Sequence, residues 1–186
     1  IDLTGDGEMR AKVGTSIADI AAGSYAYSSI LAALHHRLRF GEALPVKISM
    51  LEALAEWVSY PYLYAAHSGA APLRRGTSHA TIAPYGAFAT GDGGRILFAV
   101  QNDREWRRFC DVVLGDPARA DDPLFADQPR RVAHADALET LIEERLSALT
   151  VDEARALLEQ ADVAVARLNG IADLGEHEQL RARGRW

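Results

Sequence analysis

The stretch IAPYGAFATGDGGRILFAV, residues 82–100, most limits what this chain can fold into. Two β-prone runs flank Gly91-Asp92-Gly93-Gly94, a composition suited to a tight reversal, so the spacing predicts a hairpin of about 82–90 and 94–100. Helical periodicity surrounds it on both sides. The chain must therefore combine a sheet with helices, and an α/β class is expected.

Before the hairpin, Ile17, Ile20, Ala21, Tyr25, Ser28, Leu31, Ala32 and His35 recur at three- and four-residue spacing. This predicts a helix from Ser16 to about Phe40 with one buried stripe, stopped by Gly41. Gly23 inside it costs up to about 1 kcal/mol, which implies a packing reason. "LPVKIS", Leu44 to Ser49, reads as a short strand. A helix from Met50 to His67 follows, with Leu51, Leu54, Ala55, Val58, Tyr62 and Ala65 as its stripe and Pro61 as a kink or break. Residues 68–81 read as a loop at a domain boundary.

After the hairpin, "NDREWRRFCDVVLG" reads as an amphipathic helix capped by Asn102 or Asp103 and stopped at Gly115. Residues 116–128 read as an irregular acidic loop. Helices over 129–148 and 151–161 follow, the second opened by a Thr150-x-x-Glu153 capping box. "VAVARL" reads as a strand, and 170–182 as a weaker helical segment.

Composition narrows the function. The chain of 186 residues is 48% apolar and 25% charged, which fits a globular protein. Its net charge of −6 argues against broad nucleic-acid binding. The single cysteine, Cys110, allows no internal disulfide and suits a cytoplasmic location. No apolar run approaches the roughly 20 residues that span a bilayer, so no membrane partner is expected. The first residue is Ile1 rather than Met, which points to a processed chain or a fragment.

No metal site is expected. His35 and His36 are adjacent and diverge on a helix, while His67, His79, His134 and His177 are scattered without ligand spacing. "TGDGEM" and "TGDGGR" match no nucleotide fingerprint. Cys110 lies beside Trp106 and Phe109 on an inward helix face and reads as core.

One carboxylate stands out. In "GTSIADIAAGSY", Gly14 to Tyr25, Asp19 sits among small apolar residues. It can complete a variant capping box with Ser16, or it can be a nucleophile with Ala18, Ala22 and Gly23 leaving room for a substrate. Arg74 and Arg75 in "LRRGTSH" can hold phosphates or simply be solvated, and Met50 can be a core residue at a helix start.

The segments "VGTSIADIAAGSYAYSSILAAL", "VKISMLEALAEW" and "IAPYGAFATGDGGRILFAVQNDREWRRFC", in that order, resemble the family III CoA-transferases. "DDPLFADQPRRVAHADALETLIEERLSALTVDEARALLEQADVAVARLNGIADL" resembles the small domain of the same family. The resemblance implies an incomplete α/β fold. Residues 1–68 would be part of a Rossmann-like large CoA-binding domain, and 69–186 an α+β small domain. It also implies an interlocked homodimer.

In the family the position of Asp19 is a catalytic aspartate that forms an aspartyl anhydride and then an aspartyl-CoA thioester. Met50 matches a position beside the CoA adenine. Arg74, Arg75 and His79 lie near the active-site loop. Here "TSHATIAPYG" replaces the glycine-run loop of several transferases, and "GEAL" replaces the usual "GRGQ". The implied partners are an acyl-CoA, as a CoA thioester substrate, and a small carboxylic acid such as succinate or mesaconate, with no permanently bound cofactor. Two other readings remain at this point: the α-methylacyl-CoA racemase branch, whose aspartate has a different context, and a non-catalytic interaction fragment. The isolated 186 residues are expected to be inactive.

Overall fold

A computed structural model describes residues 3–185 of the chain. It divides into two compact units, Ile1–Gly76 and Thr77–Trp186.

The first unit opens with two short antiparallel strands, β1 (Gly5–Asp6) and β2 (Met9–Arg10). No residue pattern there marks a strand. They are tied to the end of the unit: Gly7 N–H donates to Arg74 O at 3.1 Å, and Gly76 N–H to Gly5 O at 2.8 Å. Helix α1 (Ile17–Phe40) follows and stops at Gly41, whose φ of 77° is a left-handed conformation that favours glycine. The next helix breaks in two, as α2 (Met50–Trp57) and α3 (Ser59–Ser68). Pro61 explains the break: it has no N–H to offer the carbonyl of Trp57, but is tolerated in the first turn of a new helix.

Two expectations fail here. The stripe on α1 is not buried, because α2 packs along the helix but leaves most of it open; of its 24 residues only Ala21 is buried. Ile20, Ile30, Leu31, Leu34 and Leu38 are exposed. Secondly, Leu44–Ser49 forms no strand, since none of the described strands pairs with it. A third correction concerns length and apolarity. By those two measures alone α1 qualifies to cross a bilayer, its best 18-residue window having a mean hydropathy of 1.3. Asp19 and several serines and tyrosines interrupt its apolar residues, so a search for an unbroken run overlooks it.

The second unit holds the core. Strands β3 (Tyr85–Ala89), β4 (Arg95–Ala99) and β5 (Ala164–Arg167) form an antiparallel sheet in that order, with Phe88 opposite Ile96 and Phe98 opposite Val165. The alternation places Phe88, Ile96 and Phe98 on the buried face. Against it pack α4 (Asp103–Arg108), a π-helical turn (Phe109–Leu114), a 3₁₀ turn (Pro117–Asp121), α5 (Gln128–Ala133), α6 (Ala135–Leu146) and α7 (Val151–Gln160). A 3₁₀ turn (Ile171–Leu174) and α8 (Glu178–Ala182) end the chain. Phe98 stacks on Phe88 at 4.5 Å and on Phe109 at 5.4 Å between ring centroids. Burying each such ring contributes about 1.5–3 kcal/mol.

The caps follow the sequence. Asn102 accepts from Glu105 N–H, and Thr150 and Glu153 form the reciprocal capping box. The helix expected over 129–148 is broken at His134, between α5 and α6. The hairpin tip is locked to the start of α7. Asp92 accepts from the Thr90 hydroxyl at 2.6 Å, from Gly94 N–H at 3.2 Å and from Val151 N–H at 3.1 Å. Any side chain at Gly91 would strike the Ser147 carbonyl.

One buried charge organises this unit. Arg131 is wholly inaccessible to solvent. Its Nε donates to Ala83 O at 3.1 Å, its Nη1 to Phe125 O at 3.1 Å, and its Nη2 to Asp103 Oδ1 and Gln128 Oε1, both at 2.9 Å. The guanidinium lies over the Trp106 ring, 5.0 Å from its centroid.

Two outcomes follow from these contacts. Arg131→Met strands the Ala83 and Phe125 carbonyls in the core, and should lower stability by about 3 kcal/mol in denaturant titrations of the full-length protein. Arg131→Lys, which keeps the charge but not the fork, should fall between Met and wild type. Hydrogen bonding from Thr90 holds the Asp92 carboxyl below its ordinary value, and bonding from Thr150 does the same for Glu153. Unfolded carboxyls therefore bind protons at a pH where the folded ones do not. The stabilisation is complete above the ordinary carboxylate range and lost as pH falls through the depressed values. Melts between about pH 6 and pH 2.5 should show Asp92→Asn flattening part of that acid limb.

Candidate functional site

Asp19 is the third residue of α1, and its side chain is exposed. The capping role does not form. Ser16 has φ −78° and ψ 64° and makes no side-chain cap bond. Asp19 has no hydrogen bond or ion pair among the described residues. Ile17 N–H donates to Thr15 O and Ile20 N–H to Ser16 O, while the amides of Ala18 and Asp19 between them have no backbone partner. The turn thus presents a carboxylate beside two open N–H donors at the positive end of a helix. Gly23 has no packing reason within this structure, because a methyl group there would meet nothing within 4 Å. Small Ala18, Ala22 and Gly23 leave the approach to this turn uncluttered.

Met50, the first residue of α2, is 48% exposed, so the core reading does not hold among the described residues. Beside it Ser49 caps the helix by accepting from Glu52 N–H at 3.3 Å. A cleft of about 200 Å³ between α1 and α2 is lined by Tyr25, Ser29, Lys47, Ser49, Glu52 and Glu56. A hydrogen bond to the Glu56 carboxylate pushes the Tyr25 phenol up from its ordinary value, partly offset by a bond from Trp57. Nothing in the sequence pattern announces this cluster. Tyr25 and Glu56 lie on different helices, and only the packing of α1 on α2 brings them together.

Arg74 and Arg75 are drawn to the N-terminal hairpin. Arg74 Nε donates to Gly7 O at 2.9 Å, and Arg75 forms an antiparallel bridge with Asp6. His79 belongs to the second unit and is half-buried. Its ring stacks on Tyr85 at 5.3 Å, and its backbone N–H donates to Tyr85 O at 3.2 Å. Nδ1 accepts from Thr81 N–H at 3.1 Å. A backbone amide can only donate, so the neutral ring carries its proton on Nε2. Gln128 links this loop to the buried arginine, since it accepts from Arg131 and donates to Thr81 O at 3.5 Å.

Cys110 is fully buried, and burial pushes its thiol up to about 12. It is a core group, as its neighbours in the sequence imply. Among the described residues no group of three or more His, Cys, Asp or Glu side chains gathers as a metal site would require.

Comparison with known proteins decides the family. The sequence profile of CoA-transferase family III matches residues 1–186. This chain belongs to that family. A succinate–glutarate CoA-transferase from Agrobacterium fabrum is 34% identical over 173 residues, covering 93% of this chain and 43% of the relative. An acetyl-CoA:oxalate CoA-transferase from Acetobacter aceti is 29% identical, covering 96% of this chain and 45% of the relative. The crystal structure of a CaiB/BaiF family protein from Brucella suis superposes with a TM-score of 0.78 at 32% identity, covering 98% of this chain and 48% of that one. The mixed α/β fold is therefore that of the CaiB/BaiF proteins. The chain spans somewhat under half the length of the curated relatives it matches.

The His79 geometry has a direct spectroscopic consequence. Long-range ¹H–¹⁵N spectra of the neutral ring should show Nδ1 as the unprotonated nitrogen and Nε2 as the protonated one. The reverse pattern contradicts the Thr81 bond.

Proposed function

We propose that the full-length protein moves CoA from an acyl-CoA to a free carboxylic acid, with Asp19 as the covalent nucleophile. The observation that carries this reading is the Asp19 turn: a carboxylate with no structural task, next to two unpartnered amides and small neighbours. A buried or capping carboxylate would have to give up a stabilising contact before attacking; this one does not.

The steps balance without an external base or redox partner. An Asp19 carboxylate oxygen attacks the thioester carbonyl, the C–S bond breaks, and CoA leaves as thiolate. The product is a mixed anhydride between Asp19 and the acyl group. CoA thiolate then attacks the aspartyl carbonyl, giving an aspartyl-CoA thioester and releasing the first acid as its carboxylate. The incoming acid attacks that thioester, and the returning thiolate attacks the new acyl carbonyl. This restores Asp19 and yields the new acyl-CoA. Open amides at Ala18 and Asp19 can donate to the oxyanion that develops at each addition.

The relatives named for succinate, glutarate, oxalate and mesaconate support short dicarboxylic acids as the exchanged substrates. Residues 1–68 are assigned to the large CoA-binding domain and residues 69–186 to the small domain, a reading supported by the division of the chain into two compact units, the first ending at Gly76. Within that assignment Met50 contacts the adenine, and Arg74, Arg75 and His79 belong to the loop beside the substrate. A homodimer in the cytoplasm completes the proposal, supported by the apolar surface that α1 leaves open.

Asp19→Ala and Asp19→Asn in the full-length protein should each reduce exchange of labelled succinate into succinyl-CoA by on the order of a thousandfold or more, with stability unchanged. Exchange at the wild-type rate would sink the proposal. The isolated 186-residue chain should show no turnover in the same assay, and measurable turnover would overturn its assignment as an incomplete catalyst.

A further inference from the structure

The loop that leads into β3 holds one side chain more tightly than a half-buried position requires. Between Thr77 and Pro84, His79 is the one ionisable group. The residues before it are pinned to the sheet and to α6. The Thr77 hydroxyl accepts from Ala87 N–H at 3.2 Å, and the Ser78 hydroxyl donates to Glu139 Oε1 at 3.1 Å. A methyl group at Gly86 would lie 2.8 Å from the Ser78 hydroxyl oxygen, so loop and strand are in close contact. The residues after it are tied through Thr81 and Gln128 to Arg131. The ring itself is held by its face on Tyr85 and by Nδ1, which accepts from Thr81 N–H and lies 3.3 Å from the Thr81 hydroxyl. Nε2 has no partner among the described residues.

The bond at one ring nitrogen decides what the other can do. With Nδ1 accepting, the neutral ring keeps its proton on Nε2, so Nε2 donates. Metal ligation through Nε2 would move that proton to Nδ1, facing the Thr81 amide, and a protonated Nε2 cannot serve as a base. What remains is a fixed N–H aimed at an acceptor. We infer that the Nε2–H of His79 binds the second carboxylate of a dicarboxylic acid, the one that is not exchanged on CoA. The two carboxylates of such an acid have different fates. One loses its charge in the anhydride and the thioester, while the other stays anionic through every step and needs a donor of its own. An N–H bond to an anion is stronger than one between neutral groups. Here the donor is already ordered by the fold, so binding does not bear that cost.

This inference rests on the proposed function, which puts the His79 loop beside the substrate. Its test compares succinate with butyrate, which has a methyl group in place of the second carboxylate, as acceptors for the full-length protein. His79→Phe keeps a ring over Tyr85 and lacks the donor. It should lower the ratio of kcat/KM for succinate to that for butyrate by about tenfold or more, chiefly through the KM for succinate. His79→Gln, whose amide N–H reaches close to the position of Nε2, should recover part of that ratio. An unchanged ratio in His79→Phe, with both acids affected alike, marks a merely structural histidine and overturns the inference. A second readout needs no turnover. In Asp19→Asn protein with ¹⁵N-labelled histidine and CoA present, saturating succinate should shift the His79 Nε2 resonance, and butyrate should not. No shift, or an equal shift with butyrate, overturns the inference. Exchange that survives Asp19→Asn defeats the nucleophile alone, and the Nε2 shift still decides the role of His79.

Discussion

A guanidinium with no access to water must have its charge paired and its donors bonded, or its burial costs several kcal/mol. Arg131 commits four of its five N–H donors, to four separate parts of the second unit: the lead-in to β3, the loop before α5, the first turn of α4, and α5 itself. Each carbonyl it holds would otherwise be turned towards the core without a partner. The arrangement also reaches the candidate site loop. Gln128 passes the constraint to Thr81, and Thr81 fixes the ring of His79. The geometry of a half-buried histidine is thus linked to the centre of the core.

The first unit is built on the opposite principle. α1 is long, apolar and almost entirely uncovered, and α2 and α3 expose Leu51, Trp57, Tyr60, Tyr62 and Leu63. Apolar surface on this scale marks an interface rather than a finished exterior. The carboxylate at position 19 stands at the start of this uncovered helix. Its freedom from local contacts and the helix's lack of cover are consistent with a site completed by further chain.

What the sequence revealed depended on how local the cause was. The hairpin turn at Gly91–Gly94, the caps at Asn102 and Thr150, the stop at Gly41 and the break near Pro61 each arise from a few neighbouring residues, and each was legible. The α1 stripe was legible as a pattern, but its burial was not, because periodicity says which face seeks cover and not whether cover is present. Leu44–Ser49 was misread for the same reason: β propensity is local, while a ladder needs a partner. Arg131 was invisible, since one arginine in "QPRRVA" looks like any other until the carbonyls of Ala83 and Phe125 arrive from elsewhere. Asp19 was legible as an unusual carboxylate. Spacing alone left capping and catalysis open, and the geometry at Ser16 removed the cap.

The central claim is that a side chain at position 19 becomes covalently activated during CoA exchange. It is tested most directly by adding hydroxylamine to the full-length protein during turnover with succinyl-CoA, followed by peptide mass spectrometry. The account predicts a hydroxamate on the Asp19 peptide that appears only when acyl-CoA is present. Continued exchange with Asp19 unmodified, or with the hydroxamate on another residue, would contradict it.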